Sequence, residues 1–136
     1  MNLTKVITIK YKMKFSGIGH DIIDISRIDE SISKFGDRFL LKLFSEKEIA
    51  YCNSKATPAI HFAGRFAAKE AISKALGTGF GEYLKWQDIE ILNDDLGKPV
   101  VTLSEELKEQ YPNHHISVSI SHTKEIASAV AILHIL

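Results

Sequence analysis

The residues best suited to chemistry are four charged side chains within one segment, residues 62–77. They are Arg65, Lys69, Glu70 and Lys74. The segment is rich in alanine, lysine and glutamate, which predicts a helix. On that helix Glu70 and Lys74 share one face, because they are four residues apart. Arg65 and Lys69 form a second such pair, about a quarter turn away. One carboxylate among three cations, framed by small alanines, is suited to a phosphate ligand bridged by a metal ion.

The Glu70–Lys74 pair also has a simpler interpretation. A solvated helix face often carries Glu-to-Lys pairs of this spacing, each worth about 0.3 kcal/mol. The helix alone therefore does not decide between a surface pair and a phosphate site.

A second segment, residues 15–24, adds carboxylates from elsewhere in the chain. Small and apolar residues alternate along it, and it ends with Asp21 and Asp24. We predict a short buried strand in which Gly17 and Gly19 permit close backbone approach and Asp21 emerges at the end. The two segments together then supply oxygen ligands from two separate elements.

The remaining sequence predicts an α+β fold. An apolar stripe from Ile28 to Phe39, which includes Phe35, indicates a buried helical region that Gly36–Asp37 divides in two. Thr57–Pro58 offers an N-cap and a first-turn proline for the long central helix. The predicted elements are helices 46–53 and 58–76, a short helix after residue 104, and strands 89–92, 100–103, 115–121 and 126–135. We expect a mostly antiparallel sheet packed against the long central helix.

Composition limits the class of protein. A chain of 136 residues with 45% hydrophobic and 25% charged residues is typical of one globular domain. The formal net charge is zero, which argues against a nucleic acid as the main partner. No apolar run approaches the ~20 residues of a membrane helix, so we expect no membrane partner. The single cysteine, Cys52, is expected to be a packing residue in a reducing, cytoplasmic setting.

The first 14 residues differ from the rest. Residues 1–14 contain four lysines and no acid, and their apolar residues alternate with lysines without the continuous apolar core of a secretory signal. We treat them as an N-terminal extension, either an extra edge strand or a segment before a true start at Met13, and residues 15–136 as the functional domain.

Three motifs together resemble one known family. They are Gly17-x-Gly19-x-Asp21-Ile22, Gly64-Arg65-Phe66-Ala67-Ala68-Lys69-Glu70-Ala71 and Ser119-Ile120-Ser121-His122-Thr123. In order and spacing they resemble the holo-acyl-carrier-protein synthase family of 4'-phosphopantetheinyl transferases, from about Phe15 to the C-terminus.

The resemblance implies the fold of that family and its reaction. The 4'-phosphopantetheine group would move from coenzyme A to a serine of apo acyl carrier protein, releasing adenosine 3',5'-bisphosphate, in support of fatty acid biosynthesis. Short members of the family assemble as homotrimers with sites at subunit interfaces, so a homotrimer is expected here.

The resemblance also implies roles for particular residues. Asp21 and Glu70 match the Mg²⁺-binding carboxylates, and Glu70 and Lys74 the catalytic pair beside the pyrophosphate. Asp24 falls where the family usually has another acidic residue. The residues expected to contact coenzyme A are Arg65, Gly97, Lys98, Pro99, His122 and Thr123.

Acyl carrier proteins are acidic, so their transferase needs a basic docking surface. A polar and basic stripe repeats the spacing of the apolar stripe, with each residue one position earlier in the sequence. It aligns with the family's carrier-binding helix. The stripe consists of Arg27, Ser31, Lys34 and Arg38.

Some questions stay open at this stage. The general base could be Glu70 acting through water, Asp24, or a metal-bound hydroxide. Two other functions would use similar residues: a different Mg²⁺-dependent phosphoryl or nucleotidyl enzyme, and a nucleotide-binding module without activity.

Overall fold

The structure is a computed structural model, and it describes residues 13–136. Residues 1–12, which hold most of the N-terminal extension, lie outside the described part. In chain order the elements are β1 (Lys14–Asp24), α1 (Ile25–Phe35), α2 (Asp37–Leu43), α3 (Glu46–Asn53), α4 (Pro58–Leu76), a 3-10 turn (Trp86–Asp88), β2 (Ile89–Asn93), β3 (Pro99–Leu103), α5 (Glu105–Gln110), β4 (His114–His122) and β5 (Ile126–Ile135).

The strands form two antiparallel sheets. One has the order β1-β5-β4, and the other is the hairpin β2-β3. The long helix α4 packs against β1, β5 and β4. The α+β prediction is therefore confirmed, with the strands divided between two sheets.

The helix α4 lies unusually close to β1. A Cβ atom at Gly19 would overlap the carbonyl oxygen of Ala71, and one at Gly17 would overlap that of Ala75. Strand β5 presents small side chains to the same helix, including the buried Ala129. Only residues without bulk at these positions let the backbones of strand and helix meet.

The strand predicted at residues 15–24 is present as part of β1, but the prediction that it is buried is wrong. It is an edge strand whose Ile18 and Ile22 are each 60% exposed. Gly17 and Gly19 face the helix, so Ile18 faces outward, because side chains alternate along a strand. Of the isoleucines of β1, only Ile23 packs against the core.

The helix boundaries follow local signals. Gly36, with φ of 56°, separates α1 from α2 as predicted. Ser45 and Glu48 form both bonds of a capping box at the start of α3. Pro58 begins α4, although the side chain of Thr57 forms no capping hydrogen bond, and Gly77 ends α4 in the left-handed conformation with φ of 77°.

Two predictions about burial have different outcomes. Ile32 and Phe39 pack against the core as expected for the buried stripe, but Phe35 is 50% exposed at the end of α1, so the stripe is wrong at Phe35. Cys52 is fully buried, and burial raises the pKa of its thiol to about 11, which confirms a packing role. Within residues 13–136, no helix combines the length and the apolar character needed to cross a bilayer.

Candidate active site

The close contact between β1 and α4 brings the two motifs together. Lys74 Nζ donates a hydrogen bond to Asp21 Oδ1 at 3.1 Å and another to the carbonyl oxygen of His20 at 2.9 Å. The prediction that Asp21 emerges at the end of a strand is wrong. Asp21 lies inside β1, paired with Ala129, and reaches α4 from the strand's edge.

Glu70 lies one helical turn before Lys74 and is half-buried. Burial raises the pKa of its carboxyl group, and the neighbouring Asp21 carboxylate raises it further, while Lys74 lowers it in part. The two carboxylates thus face the same space and repel each other. A cation between them would relieve both the repulsion and the loss of solvation.

The donors present fit a Mg²⁺ ion. This ion prefers hard oxygen ligands, and in proteins it commonly takes one or two carboxylates and completes its shell with water and substrate phosphates. Across residues 13–136, no group of three or more His, Cys, Asp and Glu side chains is arranged to hold a metal. An ion here would therefore depend on Asp21, Glu70 and oxygens from outside the chain.

Lys69 does not belong to this site, contrary to the interpretation of one carboxylate among three cations. It is fully buried, and its Nζ donates to Glu48 Oε1 at 2.8 Å and to the carbonyl oxygens of Leu43 and Trp86 at 2.7 and 3.2 Å. Glu48 Oε2 also accepts from the backbone N–H of Ile91 at 3.0 Å. The Lys69–Glu48 pair thus fastens α4 to α3 and β2.

A second part of the candidate site is a cavity of about 400 Å³ between α4, β4 and the β2–β3 turn. We call it the basic cavity. The residues predicted to contact coenzyme A that line it are Arg65, Gly97, Lys98, Pro99 and His122. The structure therefore brings together residues from three separate stretches of the chain.

Thr123 is the predicted coenzyme A contact that does not line the basic cavity. Its hydroxyl oxygen accepts hydrogen bonds from the backbone N–H groups of Glu125 and Ile126, at 3.2 and 3.1 Å. The side chain closes the turn between β4 and β5 and so positions the end of β4, where His122 lies.

Arg65 is held firmly at the wall of the basic cavity. Its Nε donates to the carbonyl oxygen of Ile91 at 3.1 Å, and its Nη2 donates to Asn93 Oδ1. The guanidinium carbon lies 4.2 Å from the centre of the Tyr51 ring. Its charge is therefore fixed in place before any ligand binds.

Three polar residues that line this cavity were not predicted from the sequence: Tyr51, His61 and Asn93. Asn93 joins Arg65 to the turn, because its Nδ2 donates to the carbonyl oxygen of Gly97 at 2.7 Å. His61 is four residues before Arg65 on the same helix, and this spacing was the one available signal.

A larger cavity, about 820 Å³, lies between β3, α5 and β4. The two cavities share Lys98, Pro99 and Val118, and neither lining includes Asp21, Glu70 or Lys74. We assign ligand binding to the basic cavity, because Arg65 and His122 of two motifs line it and not the larger cavity.

The predicted docking stripe lies on two helices. Arg27, Ser31 and Lys34 are on α1, with the two basic side chains exposed, and the exposed Arg38 is on α2 beyond the break at Gly36. The stripe is therefore not continuous on one helix. Lys34 Nζ lies 5.3 Å from the centre of the exposed Phe35 ring, so apolar surface accompanies the charge.

With this geometry established, comparison with known proteins identifies the class. The chain belongs to the 4'-phosphopantetheinyl transferase superfamily, because a sequence model of that family matches residues 17–131. The resemblance inferred from the three motifs is thereby confirmed.

The relatives within this class include proteins named holo-[acyl-carrier-protein] synthase. One from Protochlamydia amoebophila is 50% identical over 116 residues, which are 85% of this chain and 95% of that protein. The crystal structure of the Helicobacter pylori holo-[acyl-carrier-protein] synthase in complex with coenzyme A is 39% identical, with a TM-score of 0.79 over 85% of this chain and 98% of that one. The Bacillus anthracis synthase, in complex with coenzyme A (3',5'-ADP), is also 39% identical, with a TM-score of 0.77 over 90% and 98%.

Proposed function

We propose that this chain acts as a holo-[acyl-carrier-protein] synthase. It transfers the 4'-phosphopantetheine group of coenzyme A to a serine of apo acyl carrier protein and releases adenosine 3',5'-bisphosphate. The observation that carries this proposal is the meeting of the β1 and α4 motifs, where Lys74 bonds to Asp21 one turn from Glu70. The similarity to named synthases over most of the chain supports the same conclusion.

The reaction places particular demands on these side chains. The serine oxygen attacks the phosphorus that carries the pantetheine arm, and the bond from that phosphorus to the bridging oxygen breaks. Lys74 carries a compact positive charge beside the pyrophosphate and stabilises the negative charge that grows on the departing phosphate. A Mg²⁺ ion held by Asp21 and Glu70 would neutralise phosphate charge at the same place.

The proton of the serine hydroxyl needs an acceptor. We assign this role to Glu70, acting through a water molecule. Burial and the Asp21 carboxylate raise the pKa of Glu70. A carboxylate with a raised pKa is a stronger base than an ordinary surface glutamate.

The basic cavity receives the nucleotide end of coenzyme A. Arg65, Lys98 and His122 line one space of about 400 Å³, which is within the size range of small-molecule sites. The turn residue Gly97 has φ of 89°, a left-handed backbone conformation that favours glycine.

The acidic carrier protein docks on the stripe of Arg27, Ser31, Lys34 and Arg38. These exposed cations attract the carrier, and the exposed Phe35 offers an apolar anchor beside them. Phe35 is available as an anchor because its side chain is exposed and lies outside the core.

The active form is a homotrimer in the cytoplasm, where the reaction supplies holo carrier for fatty acid biosynthesis. The outer face of the three-stranded sheet supports association. Its apolar members Phe15, Ile18, Ile22 and Ile132 are exposed on the side opposite α4. They share this face with polar side chains such as His20 and Ser128. Several large apolar side chains exposed on one sheet face are typical of a surface that another subunit covers.

A direct test is to incubate the protein with coenzyme A, Mg²⁺ and apo acyl carrier protein and then weigh the carrier by mass spectrometry. The carrier should gain the mass of one phosphopantetheine group. Binding of coenzyme A without a mass gain would indicate a nucleotide-binding module instead, and turnover of coenzyme A without a carrier would indicate a hydrolase.

A further inference from the structure

The basic cavity contains a histidine that none of the three motifs includes. His61 lies on α4 and lines the cavity together with Arg65, Lys98 and His122. No aspartate or glutamate is among the described residues that line it. The ionisable nitrogen groups that line this cavity are all basic and can donate hydrogen bonds, so the cavity is suited to an anion.

The aromatic ring of Tyr51 holds His61 and Arg65 side by side. The edge-to-face contact between Tyr51 and His61 has a centroid distance of 6.1 Å and an interplanar angle of 82°. Arg65 lies over the same Tyr51 ring, and two further hydrogen bonds fix its position. The imidazole of His61 is therefore held next to a positive charge that cannot move away.

The surroundings of His61 oppose its protonation while the cavity holds no anion. Burial lowers the pKa of His61, and the positive charges of Arg65 and Lys55, together with His122, lower it further. These groups come from α3, α4 and β4 and the residues that flank them, and none of them is acidic. An entering phosphate dianion reverses the sign of the local potential and favours the imidazolium form.

We propose that His61 is a specificity-determining residue of the basic cavity, which takes up one proton when a phosphate monoester enters and then donates a charge-assisted hydrogen bond to it. The proton comes from solvent and binds the free ring nitrogen, and no covalent bond to the ligand forms. The inference rests on the proposed function, because the monoester is the 3'-phosphate at the nucleotide end of coenzyme A. Dephospho-coenzyme A lacks only this group, so the cavity discriminates between the two.

Isothermal titration calorimetry at pH 7.5 in two buffers of different ionisation enthalpy measures the protons taken up on binding. Coenzyme A should bind the wild type with net proton uptake, and dephospho-coenzyme A should bind with less. Between pH 7 and 8.5 the Kd for coenzyme A should rise by up to about tenfold per pH unit. His61→Gln should take up fewer protons, bind coenzyme A about tenfold more weakly at pH 7, and lose part of the preference over dephospho-coenzyme A.

Two further variants make the test specific. His61→Lys keeps a positive charge over this pH range, so it should bind coenzyme A tightly at pH 8.5 with little proton uptake. His114→Gln removes a histidine from the larger cavity and should behave as the wild type. Equal proton uptake and affinity in the wild type and His61→Gln would overturn this inference and leave the proposed function in place. If the wild type bound no coenzyme A, the proposed function itself would be contradicted.

Discussion

Among single residues, the main feature of the site is that the carboxylates of Asp21 and Glu70 lie beside one lysine, Lys74, and not beside Lys69. Lys74 contacts Asp21 directly, whereas Lys69, adjacent to Glu70 in sequence, points into the core toward Glu48. Helical spacing alone placed Lys69 near the phosphate site because it says nothing about which neighbour each helix face meets. Of the two lysines, only Lys74 is therefore placed to act on a phosphate bound at this site.

Lys74→Ala should lower kcat and kcat/KM together by about one to three powers of ten, with a much smaller change in coenzyme A affinity. The physical reason is that its charge is most useful when the leaving phosphate gains negative charge. Lys74→Arg should recover part of the rate, since a planar guanidinium does not replace a compact ammonium. Steady-state kinetics measures both.

The matched control for Lys74 is Lys108→Ala, which removes another exposed lysine that forms an ion pair, here with Glu105 at 3.2 Å. Its turnover should equal that of the wild type. Unchanged turnover in Lys74→Ala, with only a small fall in Tm, would return Lys74 to the surface-pair interpretation.

Glu70→Gln should raise the Tm of the protein in chelator-treated buffer at pH 7. The pKa of Glu70 is higher in the folded protein than in the unfolded chain, so ionisation of this group costs stability as the pH rises from the unfolded value, about 4.3, through the folded value. Near pH 3 both states hold the proton, and the difference between variant and wild type should vanish. Thermal unfolding at the two pH values measures the effect.

The control for this effect is Glu82→Gln, which changes an exposed carboxylate. It should leave Tm nearly unchanged at both pH values. Added Mg²⁺ should stabilise the wild type and not Glu70→Gln, because a ligand stabilises only the form that binds it. A Tm gain for Glu70→Gln at pH 3 as large as at pH 7 would argue against the raised pKa.

At the scale of elements, local signals predicted the boundaries well. The capping box, the first-turn proline and the terminal glycine placed α3 and α4 at their observed ends. The exposure of β1 could not be predicted in the same way. Its glycines and isoleucines suggest burial, but the glycines serve the contact with α4, and Ile18 and Ile22 face outward. Which side of an apolar strand is covered depends on partners that lie far away in sequence.

The basic cavity shows the same limit at the level of the site. The motifs supplied Arg65 and His122, because these positions carry a recognisable pattern. Tyr51 and Asn93 lie on α3 and at the end of β2, and they reach the cavity only through tertiary packing. The Lys69–Glu48 pair, which fastens α4 to α3, is one cause of that packing.

Gly19→Ala should lower the free energy of unfolding by about 1–3 kcal/mol, because the new methyl group would overlap the carbonyl oxygen of Ala71 and force β1 away from α4. The displacement should also separate Asp21 from Lys74 and reduce kcat. Denaturant unfolding and steady-state kinetics measure the two effects.

Ser16→Ala is the matched control, since it adds no bulk at an exposed position of the same strand. It should match the wild type in both measurements. If Gly19→Ala were as stable and as active as the wild type, the close contact would not be what positions Asp21.

For the whole molecule, the outer face of the β1-β5-β4 sheet is the surface best suited to association. Exposed apolar side chains, such as Ile18 opposite Ile132, lie on this face beside polar ones such as His20. The inner face packs against α4, so the fold itself does not bury the outer face. The proposed trimer, by burying this face, would explain the exposed isoleucines on it.

Ile22→Glu should convert the proposed trimer to monomers, because it would place a charge within the apolar contact that the trimer buries. Size-exclusion chromatography with light scattering measures the mass. Leu96→Glu is the control: Leu96 is 96% exposed in the β2–β3 turn, away from the outer face, and its substitution should preserve the trimer. A wild type that is monomeric, or an Ile22→Glu variant that stays trimeric, would contradict this assembly.

We propose that Asp21 on β1 and Glu70 on α4 jointly hold the metal on which transfer depends. The most direct measurement is the mass of the carrier after incubation with coenzyme A, with Mg²⁺ or with chelator, for the wild type, Asp21→Asn, Glu70→Gln and the exposed control Asp29→Asn. With Mg²⁺, the carrier should gain the mass of phosphopantetheine with the wild type and Asp29→Asn, and almost none with the two site variants or with any form in chelator. Full transfer by both site variants in chelator would rule out this metal site.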